Sequence, residues 1–348
     1  MSDIGKPDQI DIVVTWVDGN DPDWRKEKGY WYKKLHADRL NSWLTQEERY
    51  RDWNLLRYWF RCIEKNAPWV RKIHFVTWGH VPDWLDIDNP KLNVVRHQDF
   101  IPERFLPTFN SHTIELNIHR IVDLSEQFIY FNDDMYLLGA KKPTDFFENG
   151  LPRDFAGLEL GYLNDVVTDY RPYNAEVINH FFSKNEVIRK NPFLWFNPIY
   201  GPRCLMKTAL LMPFEKFSAI QQDHLPICFL KSTFMEVWDK APKQLEQSCV
   251  DKFRGERAVS PWLMRDWQRV QGKFVPMKPC LHNSFACGNG GGRKSQECIC
   301  SRIRNDEEMI CLNDYCKNDL EFQEWGQVLR VAFDARFPMQ SSFEKKRG

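Results

Sequence analysis

Residues Gln127 to Asp134 read QFIYFNDD. Four consecutive large side chains, Phe128 to Phe131, have no helical period, so Gln127 to Phe131 reads as a buried strand. It leads straight into Asn132-Asp133-Asp134. Upstream, His112 to Val122 repeats apolar residues at helical spacing. Leu92 to Arg96 and Ile73 to Thr77 read as strands. From Arg51 to Asn66, the residues Leu56, Trp59, Phe60 and Ile63 fall on one helical face, and Asn66-Ala67-Pro68 stops that helix. Ile10 to Trp16 (IDIVVTW) is a β-branched run that ends at Val17-Asp18-Gly19, a turn signal. Strand, helix, strand, strand, helix, strand predicts an α/β fold with a mostly parallel central sheet.

Beyond Pro143 the pattern weakens. Residues 143–221 are rich in Pro, Asn and aromatics and predict loops and short elements over the active edge of the sheet. Pro226 to Gln271 reads as helical, and Phe322 to Phe333 as a last amphipathic helix. Cys287 to Lys294 (CGNGGGRK) reads as a glycine loop without the spacing of a Walker phosphate cradle. The chain is expected to form one catalytic unit over residues 1–348. An α/β core occupies residues 8–140, and a loop-rich and helical part occupies residues 141–348.

Composition narrows the function. The 348 residues carry 48 basic and 48 acidic side chains, so no global field draws the chain onto nucleic acid. An anionic ligand must be held by a local site. Apolar residues make up 43%, enough to fill a large core without disulfides. No basic segment followed by an apolar run opens the sequence, and no stretch is apolar enough to span a bilayer. The expectation is a cytoplasmic chain, peripheral at the inner face of a membrane. Of ten cysteines, five fall late (Cys287, Cys298, Cys300, Cys311 and Cys316) at irregular spacing. Reduced thiols are expected there rather than a zinc site.

In open α/β sheets, ligands bind outside the carboxyl ends of the strands. Two adjacent carboxylates there, Asp133 and Asp134, repel unless a proton or a cation resolves the conflict. A hard ion such as Mg²⁺ takes oxygen ligands and joins carboxylates to phosphates. Asp18 ends another core strand, whereas Asp11 begins it and reads as structural. His224, near a helix start, can exchange a proton near neutral pH. Arg254 can clamp a phosphate bidentately. Each of these also has an ordinary reading as a turn or surface residue.

Together the segments resemble the Stealth family. Its first conserved region appears as IDIVVTWVDG, Ile10 to Gly19. The second appears as RDWNLLRYWFRCIEKNAPWVRKIHFVTWGHVPDWL, then LPTFNSHTIELNIHRI, then LSEQFIYFNDD. The third looks like DHLPICF with KFRGERAVSPW downstream, and the fourth like ICLND, Ile310 to Asp314. Cys62 stands where the family usually has Ser, and Ala258 where it usually has Asp. The family includes bacterial capsule and cell-wall polysaccharide phosphotransferases and the catalytic core of the Golgi enzyme that adds GlcNAc-1-phosphate to lysosomal glycoproteins.

The resemblance implies a nucleotide-sugar transferase (GT-A-like) sheet, a UDP-sugar donor, Mg²⁺ or Mn²⁺, and UMP release. The acceptor is expected to be a glycan or lipid-linked oligosaccharide, in reach of a membrane-bound polysaccharide assembly complex. Carried over by motif, the catalytic candidates are His224, Asp18, Arg254 and Asp314. Arg57, Arg61, Asn132 and Asn313 are the donor- and phosphate-binding candidates, and Asp133 and Asp134 the metal ligands. A metal-dependent glycosyltransferase that releases UDP is the competing reading, and a non-catalytic carbohydrate-binding protein is a third.

Overall fold

The computed structural model describes residues 9–35, 50–161, 170–255, 258–280, 283–288, 292–305 and 308–346. Two sheets position the site. They are built from β1 (Ile10–Thr15), β2 (Ile73–Thr77), β3 (Leu92–Arg96), β4 (Gln127–Asn132), β5 (Met135–Leu137), β6 (Ile227–Leu230), β7 (Ser284–Gly288) and β8 (Met309–Tyr315). The helices that matter here are α1 (Leu56–Asn66), α2 (Ser111–Asn117), α3 (Gly201–Leu211), α4 (Trp262–Val270) and α5 (Asp319–Arg336).

The main sheet has the order β6-β4-β1-β2-β3. All pairs are parallel except β6 with β4. Side chains alternate across it. Ile12, Val14, Ile129 and Phe131 meet Trp59 and Phe60 of α1 and Phe333 of α5 on one face. Val13, Phe128 and Tyr130 meet Leu116 of α2 and Trp267 of α4 on the other. Both faces are covered, which is why these strands read as continuous apolar runs.

Thr15 lies opposite both Val76 and Asn132, so β1, β2 and β4 end side by side. The segments that leave these three strands therefore converge: Trp16 to Gly19, Trp78 to His80, and Asp133-Asp134. Only those two aspartates separate β4 from β5, and β5 belongs to a second sheet of order β7-β8-β5. The pair sits where the two sheets meet.

Three sequence expectations change. Pro226 to Gln271 opens with strand β6, not a helix; ICFL is too short for its period to separate strand from buried helix, and the free edge of β4 decides. Residues 143–221 hold helices Arg171–Phe181, Lys184–Lys190 and α3. The helical period of α3 is blurred because Met206 and Leu210 are exposed while Cys204 and Thr208 are buried. Of CGNGGGRK, Cys287-Gly288 end β7 and Gly292-Arg293-Lys294 open helix Gly292–Arg304; residues 289–291 lie outside the described residues. The two expected parts also interlock, since β6 completes the main sheet and β5 joins the second.

A buried ion network fixes the approach to His224. Asp154 accepts from Arg265 at 2.7 Å and from Arg269 at 2.8 Å. Burial alone would raise its carboxyl, but the two guanidiniums hold it down at about 2. Arg265 also donates to Asp223 at 2.5 Å, the residue before His224. Asp154→Ala removes the carboxylate the two arginines share, leaving Arg265 with Asp223 and Arg269 with Asp266 at 3.3 Å, and is expected to cost about 3 kcal/mol in urea unfolding at neutral pH. Because the folded value lies below the usual 3.8, this stabilisation is full above that pH and is lost as pH falls toward about 2. The wild-type protein should lose stability across that acid window, and the variant should lose less.

Candidate active site

Asp18 is set by backbone contacts on both sides. Its N–H donates to His80 Nε2 at 2.8 Å, and its Oδ1 accepts from the Asn20 N–H at 2.8 Å. His80 accepts there as a neutral ring, consistent with burial pulling its proton affinity below the ordinary value. Gly19 is required next for a steric reason. A Cβ on it would stand 2.0 Å from the Tyr50 carbonyl oxygen. The chain from Tyr50 runs on to Asp52, which accepts from Trp16 Nε1 at 3.0 Å and from the Asn54 N–H at 2.6 Å.

Asp52 joins Asp18, Asp133 and Asp134 in one acidic group. Burial raises Asp52, and the charge of Asp18 adds to it. Burial also pushes Asp133 well above the carboxylate range, with further contributions from Asp134 and then Asp52. Asp134 is raised by burial too, with His224 pulling it back. Asp134 Oδ1 is buried and has no hydrogen-bond partner. An orphaned acceptor among crowded carboxylates fits a divalent cation, which would resolve both deficits at once.

His224 arrives through strand register. Ile227 lies opposite Tyr130 in the antiparallel β6–β4 pair, so the residues before β6 run back along the end of β4. The ring stands with Nε2 at 3.4 Å from Asn132 Nδ2 and Nδ1 at 3.4 Å from Cys311 Sγ. β8 supplies Cys311: it pairs with Met135, and the Leu312 N–H donates to the Asp134 carbonyl at 2.9 Å. Among the described residues, Asp134, His224 and Cys311 form a group whose ligand-type atoms lie within 4.8 Å of one another. The carboxylates suit a hard ion; the imidazole and thiol would add donors that suit softer ones. Burial lifts the Cys311 thiol well above its ordinary value. All ten cysteines are free, and the late five do not themselves gather into a metal centre among the described residues.

Comparison with known proteins settles the family. The models of Stealth conserved region 1 and conserved region 2 match residues 8–34 and 49–154. The capsular polysaccharide phosphotransferase WcwK of Streptococcus pneumoniae is 40% identical over 344 residues, covering 97% of this chain and 99% of the relative. The chain belongs to the Stealth family. The exopolysaccharide phosphotransferase cps2G of Lactiplantibacillus plantarum is 36% identical over 97% of each chain. The receptor polysaccharide phosphotransferase WefC of Streptococcus oralis is 36% identical over 97% of this chain and 99% of its own. This Stealth protein is an enzyme, a phosphotransferase.

Its motif residues divide by position. Asp18, Asn132, Asp133, Asp134 and His224 gather at the sheet's carboxyl edge. Arg254 reaches that edge indirectly, through a hydrogen-bonded chain. It donates to Ser111 Oγ, Ser111 bonds Glu115, and Glu115 accepts from Tyr130 Oη at 2.9 Å. Tyr130 Oη also stands 2.7 Å from Asn132 Oδ1 and 3.0 Å from Thr15 Oγ1. This fixes the Asn132 amide so that its Nδ2 faces His224. Burial raises Glu115 to about 7, with the Arg254 charge opposing.

Arg61 is a correction to the motif reading. It ion-pairs with Glu344 at 2.7 Å and donates to the Phe337 carbonyl at 2.9 Å. Helix α1 gives Trp59, Phe60 and Ile63 to the core, so its arginine stripe faces the carboxyl-terminal segment. Arg57 shares that stripe and lies over the Trp84 ring, 5.2 Å from its centroid. Asp314 pairs with Arg51 at 2.8 Å and accepts from the Cys316 N–H at 2.9 Å. Asn313 donates to Ser284 Oγ at 2.9 Å and lies 3.5 Å from Cys311 Sγ, at the border of the site. Asp11, read as structural, holds Arg71 and His74 at the far end of β1. No helix among the described residues is long and apolar enough to cross a membrane.

Proposed function

We propose that this enzyme transfers a hexose-1-phosphate or N-acetylhexosamine-1-phosphate from a UDP-sugar to a hydroxyl of a glycan or lipid-linked oligosaccharide, in capsular, cell-wall or exopolysaccharide biosynthesis at the cytoplasmic face of a membrane. The acceptor oxygen forms a bond to the β-phosphorus. The bond from that phosphorus to the bridging oxygen breaks, and UMP leaves. The sugar keeps its bond to the transferred phosphate, so the product is a phosphodiester.

The observation that carries the reading is the meeting of His224 with Asn132 and Asp134, beside Asp133, at the carboxyl edge of a parallel sheet, in a chain related over its length to named polysaccharide phosphotransferases. Phosphoryl transfer asks a protein mainly for positioning and charge neutralisation. Asp133 and Asp134 would hold Mg²⁺ or Mn²⁺, which when bound neutralises phosphate charge. His224 accepts the hydroxyl proton through Nε2, where a substrate hydroxyl replaces the long contact to Asn132. Arg254 holds the Ser111–Glu115–Tyr130 chain that orients Asn132.

The competing reading, a glycosyltransferase using the same donor, attacks the anomeric carbon and releases UDP. Incubation with a panel of UDP-hexoses and UDP-N-acetylhexosamines, a glycan acceptor and Mg²⁺ separates the two. UMP is the expected nucleotide on chromatography, and UDP in its place overturns the proposal.

A further inference from the structure

Exposed apolar surface on this molecule is concentrated. Among the described residues, sixteen large hydrophobic side chains stand open to solvent, and five of them fall between residues 193 and 214. Phe193 is 81% exposed and Ile199 44%, in the two short turns that lead into α3. Met206 at 58% and Leu210 at 67% stand four apart on its outer face. Phe214, at 61%, lies just past its end. There it lines a cavity of about 500 Å³ with Leu158, Leu160, Leu211 and Phe217. Leu160 is itself 60% exposed.

Two further features say what covers this face. The first is charge. Residues 184–216 carry six basic and two acidic side chains, in a chain whose total is 48 against 48; Lys184 is buried and Lys207 pairs with Glu159, which leaves Arg189, Lys190, Arg203 and Lys216. The second is the helix end. Lys184, 1% exposed, donates to the Leu211 carbonyl at 2.8 Å and the Met212 carbonyl at 3.1 Å. Carbonyls at a helix terminus normally need water. Here the protein supplies a donor, so this end can leave water at little cost.

We propose that α3 and its flanking turns dock on an anionic lipid bilayer, with Met206, Leu210 and Phe214 entering the interface and Arg203 and Lys216 meeting headgroup phosphates. An apolar helix face flanked by cations is the pattern of an interfacial membrane helix. A symmetric contact with a second copy would set the same cations against one another. His224 follows Phe217, in the cavity wall, by seven positions, a span of at most ~25 Å. Docking therefore holds the active edge close to a hydroxyl presented on a lipid-linked chain. The surface is independent of which bond the enzyme breaks.

Flotation of the full chain with vesicles of phosphatidylcholine, with and without phosphatidylglycerol, tests it. Retention is expected on the anionic vesicles and little on the neutral ones. Met206→Asp with Leu210→Asp should lower the vesicle partition constant, read from a lipid titration, by at least about tenfold, since each buried apolar side chain contributes roughly that much. Phe214→Asp provides an independent variant, and unchanged unfolding midpoints show that both fold. Activity on a short water-soluble acceptor should be unchanged in all, which separates this claim from the reaction assigned above. No retention on anionic vesicles overturns the proposal. So does retention that the variants leave intact, or sedimentation as a dimer that the variants convert to monomer without any lipid binding.

Discussion

Replacing His224 by alanine is expected to lower turnover by about 10²–10⁴-fold, the range lost with a general base, while UDP-sugar binding stays largely intact. Among the described residues the ring's neighbours are Asn132, Cys311, Asp134 and Trp262, none of them a cation. Its loss therefore removes proton acceptance without dismantling the phosphate site. Steady-state turnover and equilibrium binding of UDP-sugar, measured on the same preparation, distinguish this from unfolding. Near-normal turnover in the variant would move the base to Asp18, which carries no ion-pair partner among the described residues and lies at the same sheet edge. A comparable fall in donor affinity would instead make His224 part of the donor site.

Asp133→Asn should act in opposite directions on activity and stability. Metal-assisted charge neutralisation is worth several kcal/mol, so turnover is expected to fall by on the order of 10²–10⁴-fold. In the free protein the same carboxylate is crowded: burial, Asp134 and Asp52 all push its proton affinity up. A neutral amide relieves that repulsion. The variant is therefore expected to melt higher than the wild type in excess chelator near neutral pH, and to gain less from added Mg²⁺ or Mn²⁺. Thermal melts with and without metal read both effects. A lower melting point in chelator would show that Asp133 is stabilised by its surroundings rather than strained by them. Full wild-type turnover in chelator would remove the metal role.

Much of this was legible in the sequence, for identifiable reasons. β2 and β3 match their expected bounds, and β1 and β4 differ by one residue at the carboxyl end. Strands covered on both faces leave uninterrupted apolar runs, and their ends are marked by the polar residues that form the site. Asp133 and Asp134 are readable because they interrupt an apolar run, between Phe131 and Met135. His224 was placed by resemblance alone. Its approach depends on the register of β6 against β4, and a four-residue strand reached from a distant segment leaves no periodic trace.

Asp52 was missed although it stands in the quoted second region. Its local bond to the Asn54 N–H is ordinary turn chemistry just ahead of α1, and only the fold brings it beside Asp133. Arg57 and Arg61 show the converse. Their spacing correctly puts them on one face of α1, but spacing does not say what that face meets. Arg61 meets Glu344, 283 residues away. Cys311 lay in the recognised fourth region yet read as one thiol of a late cluster. The β5–β8 pairing is what turns it toward Asp134 and His224.

In the proposed reaction the β-phosphorus of the donor moves with the sugar. A UDP-sugar carrying ³²P in the β-position tracks that atom directly. With enzyme, divalent metal and acceptor, the label is expected to enter the glycan and to resist phosphatase until the phosphodiester is cleaved, while the released UMP stays unlabelled. Label recovered in UDP, with an unlabelled glycan, would contradict the account and make the enzyme a glycosyltransferase.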